Sequence, residues 1–66
     1  MNISLNGADH ELTAGATISQ LLETLDLTGQ RLAVEVNEEV IPRSEHPTMA
    51  LQEGDRVEIV RAVGGG

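Results

Sequence analysis

The chain has no cysteine and no phenylalanine, tyrosine or tryptophan. Without cysteine there is neither a disulfide framework nor a thiolate metal site. Without aromatic rings there is no platform on which nucleic-acid bases could stack. The core must therefore be built from Leu, Ile, Val, Ala and Met alone. Lysine is missing too: the four basic residues are Arg31, Arg43, Arg56 and Arg61. Arginine stays protonated, whereas a neutral lysine amine is a nucleophile. A chain without lysine offers only its N-terminal amine to an activated acyl group of its own.

Positive charge is scarce against 11 acidic residues, giving a net charge of −7. Phosphate backbones and anionic lipid surfaces repel such a chain, so nucleic acid and membrane are not expected partners. A basic protein partner suits it better. No apolar run approaches the ~18 residues of a membrane span, and no charged-then-apolar leader is seen. A cytoplasmic protein is expected. Sixty-six residues make one small domain, which buries only about 60% of its unfolded surface. Its stability should be about 3–10 kcal/mol, with little room for both a core and a deep catalytic pocket.

"MNISLNG" alternates, with Ile3 and Leu5 on one side. Gly7-Ala8-Asp9 signals a turn, and "HELTA" can return as a second strand that adds Leu12 to the core side. In "GATISQLLETLDLTG", Thr17 and Gln20 match a capping box. Ile18, Leu21, Leu22 and Leu25 form one apolar stripe, and Gly29 is the expected stop. "RLAVEVN" points Val34 and Val36 inward, Asn37-Glu38-Glu39 turns, and "VIP" is a short edge piece closed by Pro42. Leu51 and Met49 are expected to plug the core from an irregular loop, and Val57 and Ile59 to anchor the closing strand. A hairpin, a crossover helix and returning strands describe an α+β roll, a mixed sheet with one covering helix. Its other face stays open, and there Val60 and Ala62 are apolar where polar residues are usual. An exposed apolar patch of that kind marks a binding surface.

Chemistry on side chains is poorly supported. His10 and His46 are far apart in sequence and are expected at the surface; no metal site follows. The acidic pairs Glu38-Glu39 and Glu53 with Asp55 lie in or beside turns, where carboxylates are solvated rather than poised for proton transfer. Ser44 and His46 lack a third member and an oxyanion donor. No catalytic residue is assigned.

Gly64-Gly65-Gly66 admits three readings: a frayed end, a cloning remnant, or a tail whose C-terminal carboxylate is the functional group. Extended, three glycines reach about 10 Å. Lacking Cβ, they can thread a narrow channel. A carboxylate resists attack until it is joined to a leaving group such as AMP, after which sulfur or nitrogen can take the acyl group.

The compact length, the opening "MNISLNG", the middle "AVEVNEEVIPR", the "LQEGDRVEIV" approach and the closing "GDRVEIVRAVGGG" together resemble the ThiS family of ubiquitin-like sulfur carriers. The resemblance covers the whole chain and implies a β-grasp domain over 1–63 with a flexible tail over 64–66. It implies a protein co-substrate, not an enzyme. The Gly66 carboxylate would be adenylylated by an E1-like adenylyltransferase of the ThiF type, then converted to a thiocarboxylate with sulfur from a persulfide donor. That sulfur would go to a thiazole synthase of the ThiG type for the thiazole of thiamin. Gly65 matches the second family glycine, and Gly64 adds reach. Val60, Ala62 and Val63 would lie near the partner contact. No cofactor or metal would be bound, ATP being used by the activating partner, and the free chain would be a monomer. The small subunit of molybdopterin synthase shares fold and Gly-Gly end, although such proteins are usually longer. A ubiquitin-like modifier and a plain interaction module are the alternatives of another kind.

Overall fold

The computed structural model describes residues 1–61. The chain forms β1 (Asn2–Leu5), β2 (Ala8–Glu11), α1 (Ile18–Thr24), β3 (Leu32–Val36), β4 (Glu39–Ile41), one 3-10 turn (Arg43–Glu45) and β5 (Arg56–Arg61). The five strands make one sheet in the order β2-β1-β5-β3-β4. Only β1 and β5 run parallel; the other three pairings are antiparallel. This is the expected mixed sheet with one covering helix, the ubiquitin-like β-grasp arrangement. The last strand lies in its middle.

Both hairpins turn on two residues with positive φ, the geometry that matches the right-handed twist of paired strands. The first uses Asn6 (φ 49°) and Gly7 (φ 85°), between the facing pair Leu5 and Ala8. The turn is thus one residue earlier than Gly7-Ala8-Asp9, because Asn-Gly satisfies both left-handed positions. The second uses Asn37 (φ 53°) and Glu38 (φ 71°), between Val36 and Glu39.

Helix α1 starts as its sequence dictates. Thr17 Oγ1 accepts from Gln20 N–H at 3.2 Å, and Gln20 Oε1 accepts from Thr17 N–H at 2.8 Å. The two remaining free donors of the first turn are met by the returning loop: Ile18 N–H donates to Met49 O (3.2 Å) and Ser19 N–H to His46 O (3.1 Å). The helix stops before Gly29. Asp26 takes the left-handed conformation (φ 59°), Asp26 N–H donates to Glu23 O (3.0 Å) and Leu27 N–H to Leu22 O (2.8 Å). These two bonds make a Schellman cap, so Asp26 does what glycine commonly does.

The core lies between α1 and one sheet face. Ile18 and Leu21 meet Ile3, Val34, Val36 and Val57, and Leu12, Ala16, Ile41 and Leu51 close the margins. Met49, Leu5, Leu22, Leu25 and Ile59 are partly buried against it. Among the described residues no helix is long and apolar enough to cross a membrane.

Candidate functional site

Two turn asparagines brace β5, one at each end. At its start, Asn37 Oδ1 accepts from Arg56 N–H (2.9 Å), while Asn37 N–H donates to Arg56 O (2.7 Å). At its far end, Asn6 Oδ1 accepts from Ile59 N–H (2.8 Å) and Asn6 Nδ2 donates to Ile59 O (3.4 Å). Backbone pairing between β1 and β5 ends where the first hairpin turns away, with Asn6 N–H on Val57 O at 2.9 Å. The Asn6 side chain then takes over the next β5 peptide groups. Beyond it, Val60 and Arg61 face Ala33 and Leu32 of β3. The strand that leads into the glycine segment is therefore fixed on both sides up to Ile59.

Among the described residues nothing covers the sheet face opposite the helix. Its β5 residues are Arg56, Glu58 and Val60; Ala33 and Glu35 of β3 and Val40 of β4 stand beside them by register. Val40 and Val60 are the large apolar residues most exposed among those described, at 62% and 54%. Val60 is thus where the sequence placed it. Val40 was missed, because a short edge piece gives too little alternation to assign a face; its register opposite Glu35 assigns it. The expected contact residues Ala62 and Val63, and the tail Gly64, Gly65 and Gly66, lie outside the described residues.

The two histidines depart from the surface positions expected for them. His46 is 5% exposed. Its Nε2 lies 3.1 Å from Ile41 O; a carbonyl only accepts, so Nε2 carries the hydrogen. The ring serves as a core filler in a chain without aromatics, with its one buried donor satisfied. His10 faces Ile3 across the β1–β2 pair, on the helix side of the sheet. It is half-buried, and its Nε2 meets no partner among the described residues.

Three of the four paired acidic residues, Asp55, Glu53 and Glu38, bind neighbours in the fold. Asp55 Oδ2 accepts from Gln52 N–H (2.8 Å) and Oδ1 from Asn37 Nδ2 (3.1 Å). Glu53 Oε1 accepts from Asn2 N–H at 3.0 Å. Glu38 pairs with Arg56 at 3.3 Å on the surface. None is held by burial for proton transfer, and no hydrogen bond joins Ser44 to His46 among the described residues.

The architecture thus centres on a braced strand beside an open, partly apolar face. Known proteins share its fold. The crystal structure of a thiamine biosynthesis protein (ThiS) from Geobacter metallireducens superposes with a TM-score of 0.87 at 29% identity, covering all of both chains. The sulfur carrier protein ThiS of Escherichia coli is 30% identical over 66 residues, again spanning the whole of both chains. A thiazole synthase of Magnetococcus marinus is 41% identical over 66 residues; the match takes in all of this chain and 20% of that protein's length. The family model named ThiS family matches residues 3–66. With fold, strand order and full-length similarity in agreement, the chain belongs to the ThiS family.

Proposed function

We propose that this chain is the sulfur carrier of a thiazole-forming reaction in thiamin biosynthesis, and that its working group is the Gly66 carboxylate. The observation that carries the reading is the full-length similarity to a sulfur carrier protein on both sides of the alignment.

The chemistry has two stages. A carboxylate is a poor electrophile, so an E1-like adenylyltransferase of the ThiF type joins it to AMP and releases pyrophosphate from ATP. A persulfide then displaces AMP, and a second thiol cleaves the S–S bond to leave the thiocarboxylate. The thiocarboxylate sulfur is the nucleophile that a thiazole synthase consumes. A thiazole synthase that holds a matching segment within its own chain supports that consumer. Cytoplasmic thiols suit the persulfide step.

In this reading the domain supplies position and the partners supply catalysis. Residues 62–66 span at most about 18 Å when extended, so the carboxylate can enter a partner's active site while the domain stays outside. Gly64 and Gly65 pass where a side chain would not. Val60, with Ala62 and Val63, meets the activating enzyme.

The test is pyrophosphate release by the ThiF-type enzyme with ATP and this chain. Release should depend on the chain and vanish when Gly66 is deleted. A truncated chain that is still activated would refute the reading. Loss of the gene should produce a requirement for the thiazole of thiamin; a molybdopterin requirement would assign the carrier to the other pathway.

A further inference from the structure

We infer that the open sheet face is built to receive an arginine of the activating enzyme between Glu35 and Glu58, with apolar side chains of the same partner against Val40 and Val60. The identity of that partner rests on the sulfur-carrier reading; the chemistry of the face does not.

Glu35 and Glu58 face each other directly across β3 and β5. Facing residues on one side of a sheet have Cβ atoms about 4.5–5.5 Å apart, and like charges there are destabilising. Among the described residues no ion pair relieves the repulsion. The one ion pair among the described residues joins Arg56, the β5 cation on this face, to Glu38 in the neighbouring turn. Arg43 donates to Gln30 O at 3.1 Å. Arg61 borders a groove on the helix side, with Leu5, Leu25 and Ile59.

The surroundings select the occupant. Val40 is the direct neighbour of Glu35 on β4, and Val60 opposite Ala33 lies one step along the same face. A carboxylate pair bordered by apolar side chains suits a guanidinium better than an ammonium. Guanidinium is planar, can bond two carboxylates at once and is more weakly hydrated. A second copy of the chain would bring another glutamate pair against this one, so self-association is opposed by charge.

The test compares carrier-dependent pyrophosphate release for wild type, the double variant Glu35→Gln with Glu58→Gln, and Glu58→Arg. The double variant should raise the KM for the carrier about tenfold with kcat unchanged. Added salt should raise the wild-type KM more steeply than that of the double variant. Its thermal midpoint should equal or exceed wild type, since a repulsion has been removed. Glu58→Arg creates an internal partner for Glu35, so it should melt higher and bind worse, a combination that a purely structural role would not produce. Wild-type KM and wild-type salt dependence in the double variant would overturn the inference while leaving the carrier reading intact. A wild-type chain that forms a dimer lost in Glu58→Arg would overturn it in favour of a second copy. Failure of wild type itself to be activated would remove the carrier reading and this inference with it.

Discussion

Removing the Asn6 side chain should loosen the end of β5 specifically, and three substitutions separate its two roles. Asn6 holds Ile59 through bonds of 2.8 and 3.4 Å and occupies a turn position at φ 49°. Asn6→Asp keeps the oxygen that accepts from Ile59 N–H but sets its second oxygen against Ile59 O, and should cost about 0.5 kcal/mol. Asn6→Gly keeps the turn but loses both bonds, at about 1 kcal/mol. Asn6→Ala loses the bonds and also the polar side chain by which Asn tolerates the left-handed region, for a total of about 2 kcal/mol. A chain of 66 residues at about 2.1 cal/mol/K per residue has an unfolding entropy of about 0.14 kcal/mol/K. Each kcal/mol therefore lowers the thermal midpoint by about 7 °C. The expected order is Asp, Gly, Ala, with falls of about 4, about 7 and about 14 °C. Amide exchange gives the local readout. Ile59 N–H should lose protection in Asn6→Gly beyond what the global loss explains, while Val34 on β3 should not. Equal protection of Ile59 in wild type and Asn6→Gly would refute the brace.

Glu38 (φ 71°) and Asp26 (φ 59°) hold left-handed positions that glycine takes without strain. At each site the Gly variant should be more stable than the Ala variant by about 1 kcal/mol, measured by denaturant titration; the comparison cancels the loss of the surface Glu38–Arg56 pair. His46→Ala should destabilise by about 2 kcal/mol, because it opens a cavity and removes the hydrogen bond to the Ile41 carbonyl. His46→Gln, which retains a donor, should recover part of that loss; equal losses in the two variants would assign the ring to packing alone.

Much of the fold is legible in the sequence because period and local chemistry agree. Thr17 and Gln20 form the capping box that their spacing implies. The stripe Ile18 and Leu21 and the alternation Val34, Val36, Val57 mark the core face. The failures have local causes. Asn6-Gly7 and Gly7-Ala8-Asp9 both read as turns because several turn residues stand in a row, and strand register decides between them. Gly29 reads as the helix stop because glycine commonly is one; Asp26 reaches the left-handed region first. His46 reads as a surface residue by its type, yet its imidazole is buried with its hydrogen on the Ile41 carbonyl. Val60 was legible from β5 alternation alone. The Glu35–Glu58 pair was not, since facing partners across strands follow from register, which no single stretch contains.

A sulfur carrier must hold sulfur on Gly66 in the working cell. Intact-mass analysis of the full chain, recovered from cells that are making thiamin, tests it most directly. A fraction about 16 Da heavier, oxygen having become sulfur, is expected. That fraction should disappear when the activating enzyme is removed. A chain found only at its unmodified mass, or joined through Gly66 to lysines of other proteins, would contradict the account.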